Sequence, residues 1–78
     1  MNLMNTAQST SLLEGYFADS LRDFCIRETF NTDAGFRLWT ATLDHLRGMD
    51  ADEMEYAINN RTFRQIVESA NGINFRRE

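Results

Sequence analysis

The sequence predicts an all-α domain, a compact bundle of about four short helices. Three observations point there. Apolar residues recur at helical spacing in four separate stretches. Each stretch opens on a Ser, Thr, Asp or Asn able to cap a helix. The 78 residues contain no proline, and no stretch alternates apolar and polar residues as a convincing strand would.

Residues 1–10 (MNLMNTAQST) show no period and are read as a flexible N-terminal arm, which leaves 11–78 as a single helical domain. The first helix is predicted over about 12–29. Ser11 and Glu14 form a capping-box pattern at its start. Leu13, Phe17, Leu21, Phe24 and Cys25 then fall on one face. Gly15 weakens the first turns by ~1 kcal/mol relative to Ala. Ile26 falls about 180° from Phe17, on the side carrying Asp19 and Asp23.

Asn31 or Thr32 caps a second helix, predicted over about 33–47, with Phe36, Trp39, Leu43 and Leu46 on its apolar stripe and Gly48 at its end. Asp50 and Glu53 make a second capping-box pattern before a short helix over about 51–59, whose apolar face is Met54, Ala57 and Ile58. Thr62 and Gln65 make a third, before a helix over about 63–70 that buries Phe63, Ile66, Val67 and Ala70. Gly72 followed by Ile73 is a Schellman-type stop. The first two helices are expected to form an antiparallel hairpin, with the last two packed across it.

Charge and cysteine usage remove several classes of function. One cysteine permits no internal disulfide framework and no Cys-cluster zinc site. The formal net charge of −4 argues against a general nucleic-acid binder. No run approaches the ~18 apolar residues of a membrane span. No secretory signal is seen, so an intracellular, cytoplasmic protein is expected. The charge is uneven. Residues 1–60 hold four arginines against ten acids, and residues 61–78 hold four arginines against two glutamates. Every basic side chain is arginine, a residue favoured where proteins meet.

Catalytic and ligating patterns are weak. A nucleophilic pair would have to be Cys25 and His45, but Cys25 lies on the core stripe and no glycine-rich elbow or oxyanion motif accompanies it. The acids Asp50, Asp52, Glu53 and Glu55 fail the calcium-loop pattern, because Glu55 stands where that loop needs glycine. They read instead as a cap and a solvated first turn. Asn60-Arg61-Thr62 matches a glycosylation sequon, which without a secretory signal reads as a chance tripeptide, and Thr62 already has a capping role. No catalytic residue, metal ligand or cofactor is therefore expected.

What remains is contact with another protein. Six Phe, two Tyr, one Trp and four Met are many large apolar groups for so short a chain. Ile26, Phe30, Trp39, Tyr56 and Phe75 are not all expected to be tightly buried. Two partner-binding faces are expected. One comprises Asp19, Arg22, Asp23 and Ile26. The other comprises Arg61, Arg64, Phe75, Arg76 and Arg77. The expected function is non-enzymatic: an acidic inhibitor or regulator that blocks a partner protein and self-associates as a homodimer. The alternative is a small helix-turn-helix DNA-binding regulator using the helices over 51–59 and 63–70, with Arg64, Gln65, Glu68 and Ser69 outward.

Overall fold

A computed structural model of the protein describes residues 15–75. Four helices make up its order: α1 (Tyr16–Thr29), α2 (Thr32–Arg47), α3 (Ala51–Asn60) and α4 (Phe63–Asn71). The arm over 1–10, the Ser11–Glu14 box and the tail residues Arg76 and Arg77 lie outside the described residues. No strand occurs among those described, and no helix there is long and apolar enough to cross a membrane.

Helix α1 begins four residues later than its pattern suggests. Gly15 takes φ 73° and ψ −135°, a backbone state open to glycine and incompatible with a continuous helix. At the other end Phe30 adopts the left-handed conformation, φ 55°, unusual for a bulky side chain. Its N–H donates to the Ile26 carbonyl at 2.9 Å. The turn is held further by Thr29, whose hydroxyl lies 2.9 Å from the Cys25 carbonyl and 3.0 Å from the Asn31 carbonyl. Asn31 then caps α2 by accepting from the Ala34 N–H at 2.8 Å.

Two residues, Phe30 and Asn31, thus join α1 to α2 in an antiparallel hairpin. Ile26 meets Gly35, and four residues back along α1 the Arg22 guanidinium lies 5.7 Å from the centre of the Trp39 ring, four residues forward along α2. The crossing at Gly35 is close. A Cβ there would stand 2.6 Å from the Ile26 Cα, so only glycine fits this approach.

The remaining caps show which patterns form. Asp50 has the extended backbone of an N-cap, but its side chain makes no capping hydrogen bond, so the Asp50–Glu53 box does not close. The Thr62–Gln65 box does: Thr62 Oγ1 accepts from the Gln65 N–H at 3.1 Å, and Gln65 Oε1 accepts from the Thr62 N–H at 3.0 Å. Gly72, φ 64°, ends α4, and the Ile73 N–H reaches back to the Glu68 carbonyl at 3.2 Å as a Schellman stop requires.

All four helices contribute to one core. Leu21 and Cys25 come from α1, Leu43 and Leu46 from α2, Met54 and Ala57 from α3, and Ile66 and Val67 from α4. Beside it runs a chain of rings. Phe63 lies 5.8 Å from both Phe17 and Phe24, and Phe75 stands edge-on to Phe24 at 6.0 Å. Four of the six phenylalanines thereby cover one another across α1, α4 and the chain that follows. Trp39 is half-buried, edge-on to Phe36 at 5.5 Å, and its Nε1 is buried without a hydrogen-bond partner.

One polar group sits in the core with its hydrogen bonds satisfied. Thr42 is fully buried; its hydroxyl donates to the Leu38 carbonyl at 2.7 Å and accepts from Asn71 Nδ2 at 2.9 Å. Asn71 Nδ2 also donates to the Val67 carbonyl at 2.9 Å. This contact ties the end of α4 to the middle of α2. Thr42→Val keeps the shape and deletes the hydroxyl. We expect it to cost about 1–2 kcal/mol and lower Tm by roughly 5–10 °C, measured by thermal circular dichroism.

Candidate functional site

Helix α3 packs inward only through Met54, Ala57 and Ile58, and its backbone makes few close approaches to the other helices. It is anchored by Met54 and Ala57, both buried, and by half-buried Ile58. This looser seating leaves a groove of about 260 Å³ between the end of α2, the flank of α3 and the face of α4. Leu46, Met49, Ala57 and Ile66 supply its apolar walls. Leu46, Ala57 and Ile66 are each under 5 % exposed, so they form a firm floor.

The rim is polar. His45 comes from the last turn of α2, Glu53 and Tyr56 from α3, Arg61 from the α3–α4 link and Ser69 from α4. Tyr56 is 58 % exposed, and the Arg61 guanidinium lies 5.6 Å from its ring centre. That contact fixes a cation over an aromatic face at the mouth of the groove. Neither Arg61 nor Glu53 is in an ion pair among the described residues. Arg22 and Arg47, by contrast, lie within 4 Å of neighbouring aspartates.

Of the nine residues expected to meet a partner, the structure joins only part of one face to this groove. Arg61 lines it, and Arg64 is exposed on the first turn of α4. Phe75 folds back onto Phe24, and its N–H donates to Glu68 Oε2 at 2.7 Å. The other face is occupied within the chain. Arg22 lies 3.4 Å from Asp19 and 3.7 Å from Asp23, and stacks over Trp39. Ile26 is half-buried against Gly35. Of the five large residues not expected to be fully buried, Tyr56 and Phe30 are exposed, and Ile26, Trp39 and Phe75 are half-buried.

Cys25 and His45 do not meet in the groove. His45 is exposed on its rim, whereas Cys25 is fully buried in the core, where desolvation pushes its thiol from 9.0 up to about 11. A thiol so placed stays protonated near neutral pH and packs as a small apolar group. Among the described residues no group of three or more His, Cys, Asp or Glu is arranged to hold a metal ion. The sequon residues have structural partners: Asn60 Nδ2 donates to the Tyr56 carbonyl at 3.1 Å, and Thr62 caps α4.

Helices α3 and α4, joined by Arg61 and Thr62, also make up the pair expected of a helix-turn-helix. Two of its four outward side chains on α4 are engaged. Gln65 closes the capping box, and Glu68 accepts from the Phe75 N–H. Arg64 and Ser69 are exposed.

The sequence marks Arg61, Tyr56 and His45 separately, and nothing in their spacing shows that they share a groove. The available signal was the length of α3. A ten-residue helix whose inward face is Met54, Ala57 and Ile58 has too little apolar surface to seal against two neighbours. No protein-family model, curated protein or solved structure matches this chain.

Proposed function

We propose that this protein works without catalysis, by binding another protein at the α3–α4 end, as an inhibitor or regulator that covers its partner's surface. One observation carries this. An apolar floor is ringed by exposed polar side chains, with Tyr56 and Arg61 stacked at its mouth. Tyr and Arg around a preformed apolar recess are the composition of protein-binding hot spots. The recess is large enough for one or two apolar side chains and small for a drug-sized substrate, whose sites run from ~300 Å³ upward. Self-association belongs to the same proposal, since the groove and its rim face outward.

Plugging the groove tests this. Ser69 is exposed on its edge, and Ser69→Trp fills the recess from a surface position. Immobilised wild-type protein is expected to retain a partner from the source cell's extract, and Ser69→Trp to retain it at least ~10-fold less well, with unchanged helicity. Equal retention by both proteins overturns the assignment of the groove. The second reading, a helix-turn-helix DNA-binding regulator, draws on Arg61 and Arg64, which are exposed and in no ion pair among the described residues. Saturable binding to mixed-sequence duplex DNA at low salt, lost on Arg64→Ala, would replace the protein-binding proposal.

A further inference from the structure

Asn71 and Gly72 are the one Asn-Gly pair in the chain. Such a pair sets a side-chain amide beside a following backbone nitrogen that no side chain shields. Asn71 is half-buried and Gly72 is exposed. In the fold both groups are engaged. Asn71 Nδ2 donates to Thr42 Oγ1 and to the Val67 carbonyl, each at 2.9 Å. The Gly72 N–H donates to the Glu68 carbonyl. Thr42 belongs to α2, 29 residues away in sequence, so the contact that ties α4 to α2 is also what pins the amide.

We propose that Asn71 is a modification site gated by the fold. It converts to aspartate and isoaspartate when the end of α4 opens, and the product cannot remake the tie to Thr42. The chemistry is intramolecular. The Gly72 nitrogen gives its proton to water or hydroxide and attacks Asn71 Cγ. A new N–Cγ bond closes a cyclic imide, the Cγ–Nδ2 bond breaks, and Nδ2 leaves as ammonia. Water then adds to one of the two imide carbonyls. Opening at Cγ gives aspartate; opening at the Asn71 main-chain carbonyl gives isoaspartate, with the chain running through Cγ. One water enters and one ammonia leaves.

The product fits the site badly. Nδ2 supplies two N–H groups, and a carboxylate supplies none. It would face the Val67 carbonyl and the Thr42 oxygen, whose own proton already goes to the Leu38 carbonyl. A half-buried carboxylate among acceptors is unpaired as well as repelled. Isoaspartate also lengthens the main chain just before Gly72, which displaces the Gly72 and Ile73 N–H groups from the Glu68 carbonyl. Opening is reversible, but conversion is not.

The test follows the full chain in mildly alkaline buffer, with and without urea. Peptide mapping by mass spectrometry reads the amide-to-acid mass gain at each asparagine. In urea Asn71 is expected to convert faster than every other asparagine, and at least ~10-fold faster than in the folded protein. Folded Thr42→Val frees the amide and is expected to convert ~5–30-fold faster than wild type, as the open population rises. Thr42→Ser also loosens the core but keeps the hydroxyl, and is expected to convert at close to the wild-type rate. Asn71→Asp, the direct product, is expected to lower Tm by at least ~5 °C. Circular dichroism on each variant confirms the helical fold. Should Thr42→Val unfold, the wild-type rates with and without urea, together with Asn71→Asp, decide the matter. Equal wild-type rates in buffer and urea, equal acceleration by both Thr42 variants, or an Asn71→Asp protein that melts with wild type overturns the gated site.

Discussion

Gly35→Ala is expected to destabilise the protein by roughly 2–4 kcal/mol, although alanine is the better helix former by ~1 kcal/mol. The two effects oppose each other, so the sign of the result is informative. Gly35 lies in the first turns of α2, directly against α1. The added methyl would stand 2.6 Å from both Cα and Cγ1 of Ile26 and 2.8 Å from its backbone nitrogen. A rotamer change can move Cγ1, but the Cα and nitrogen belong to the backbone of α1. Relief requires the hairpin to splay, which loosens every contact between α1 and α2. A 78-residue domain has a total stability of only ~4–12 kcal/mol, so a substantial share would go. Urea unfolding at pH 7 measures it. Gly48→Ala is the control: it too replaces glycine, but φ is −83° and the new methyl would meet the His45 carbonyl at an ordinary 3.5 Å. That change is expected to fall within ~1 kcal/mol of wild type. If Gly35→Ala is as mild as Gly48→Ala, the close crossing is wrong.

This crossing shows how far the sequence could be read. The hairpin was legible, because Asn31 is a good cap between two apolar stripes. Its consequence was legible too. A turn centred on Phe30 and Asn31 places Ile26 opposite Gly35, so an isoleucine on the apparently wrong side of α1 had a neighbour waiting in α2. Local patterns failed where they compete with backbone geometry. The apolar stripe predicted one helix running through Gly15, yet Gly15 takes a backbone state outside the helical region and the described helix starts at Tyr16. Asp50 has the right backbone for a cap and forms no side-chain bond. The groove was least legible, because it depends on how far α3 stands from α2 and α4. Spacing along one helix carries no information about distance between helices. The large aromatic inventory was also partly misleading. Phe17, Phe24, Phe63 and Phe75 cover one another through contacts spread over 58 residues of chain, which no periodicity reveals.

Between pH 9 and 11 the wild type is expected to lose up to ~3 kcal/mol of stability, and Cys25→Ala to lose none of that share. The cause is desolvation of one group. Cys25 is fully buried, and its thiol is raised from 9.0 to about 11 in the folded chain. A thiol is an acid, so a raised value means the fold holds the proton that the unfolded chain releases. Stability from this source is fully present below pH 9. It falls as the unfolded chain ionises and is exhausted once the folded thiol ionises near pH 11. The chain has eight basic side chains, all arginine, so no lysine loses its charge there. Urea midpoints at pH 8, 9.5 and 11 for both proteins give the slope directly. Cys25→Ala starts lower at pH 8, since it removes a packed sulfur, but its curve should lack the wild-type fall. Parallel slopes for the two proteins would mean that Cys25 does not hold its proton in the core, and the inert thiol at the centre of the bundle would have to be abandoned.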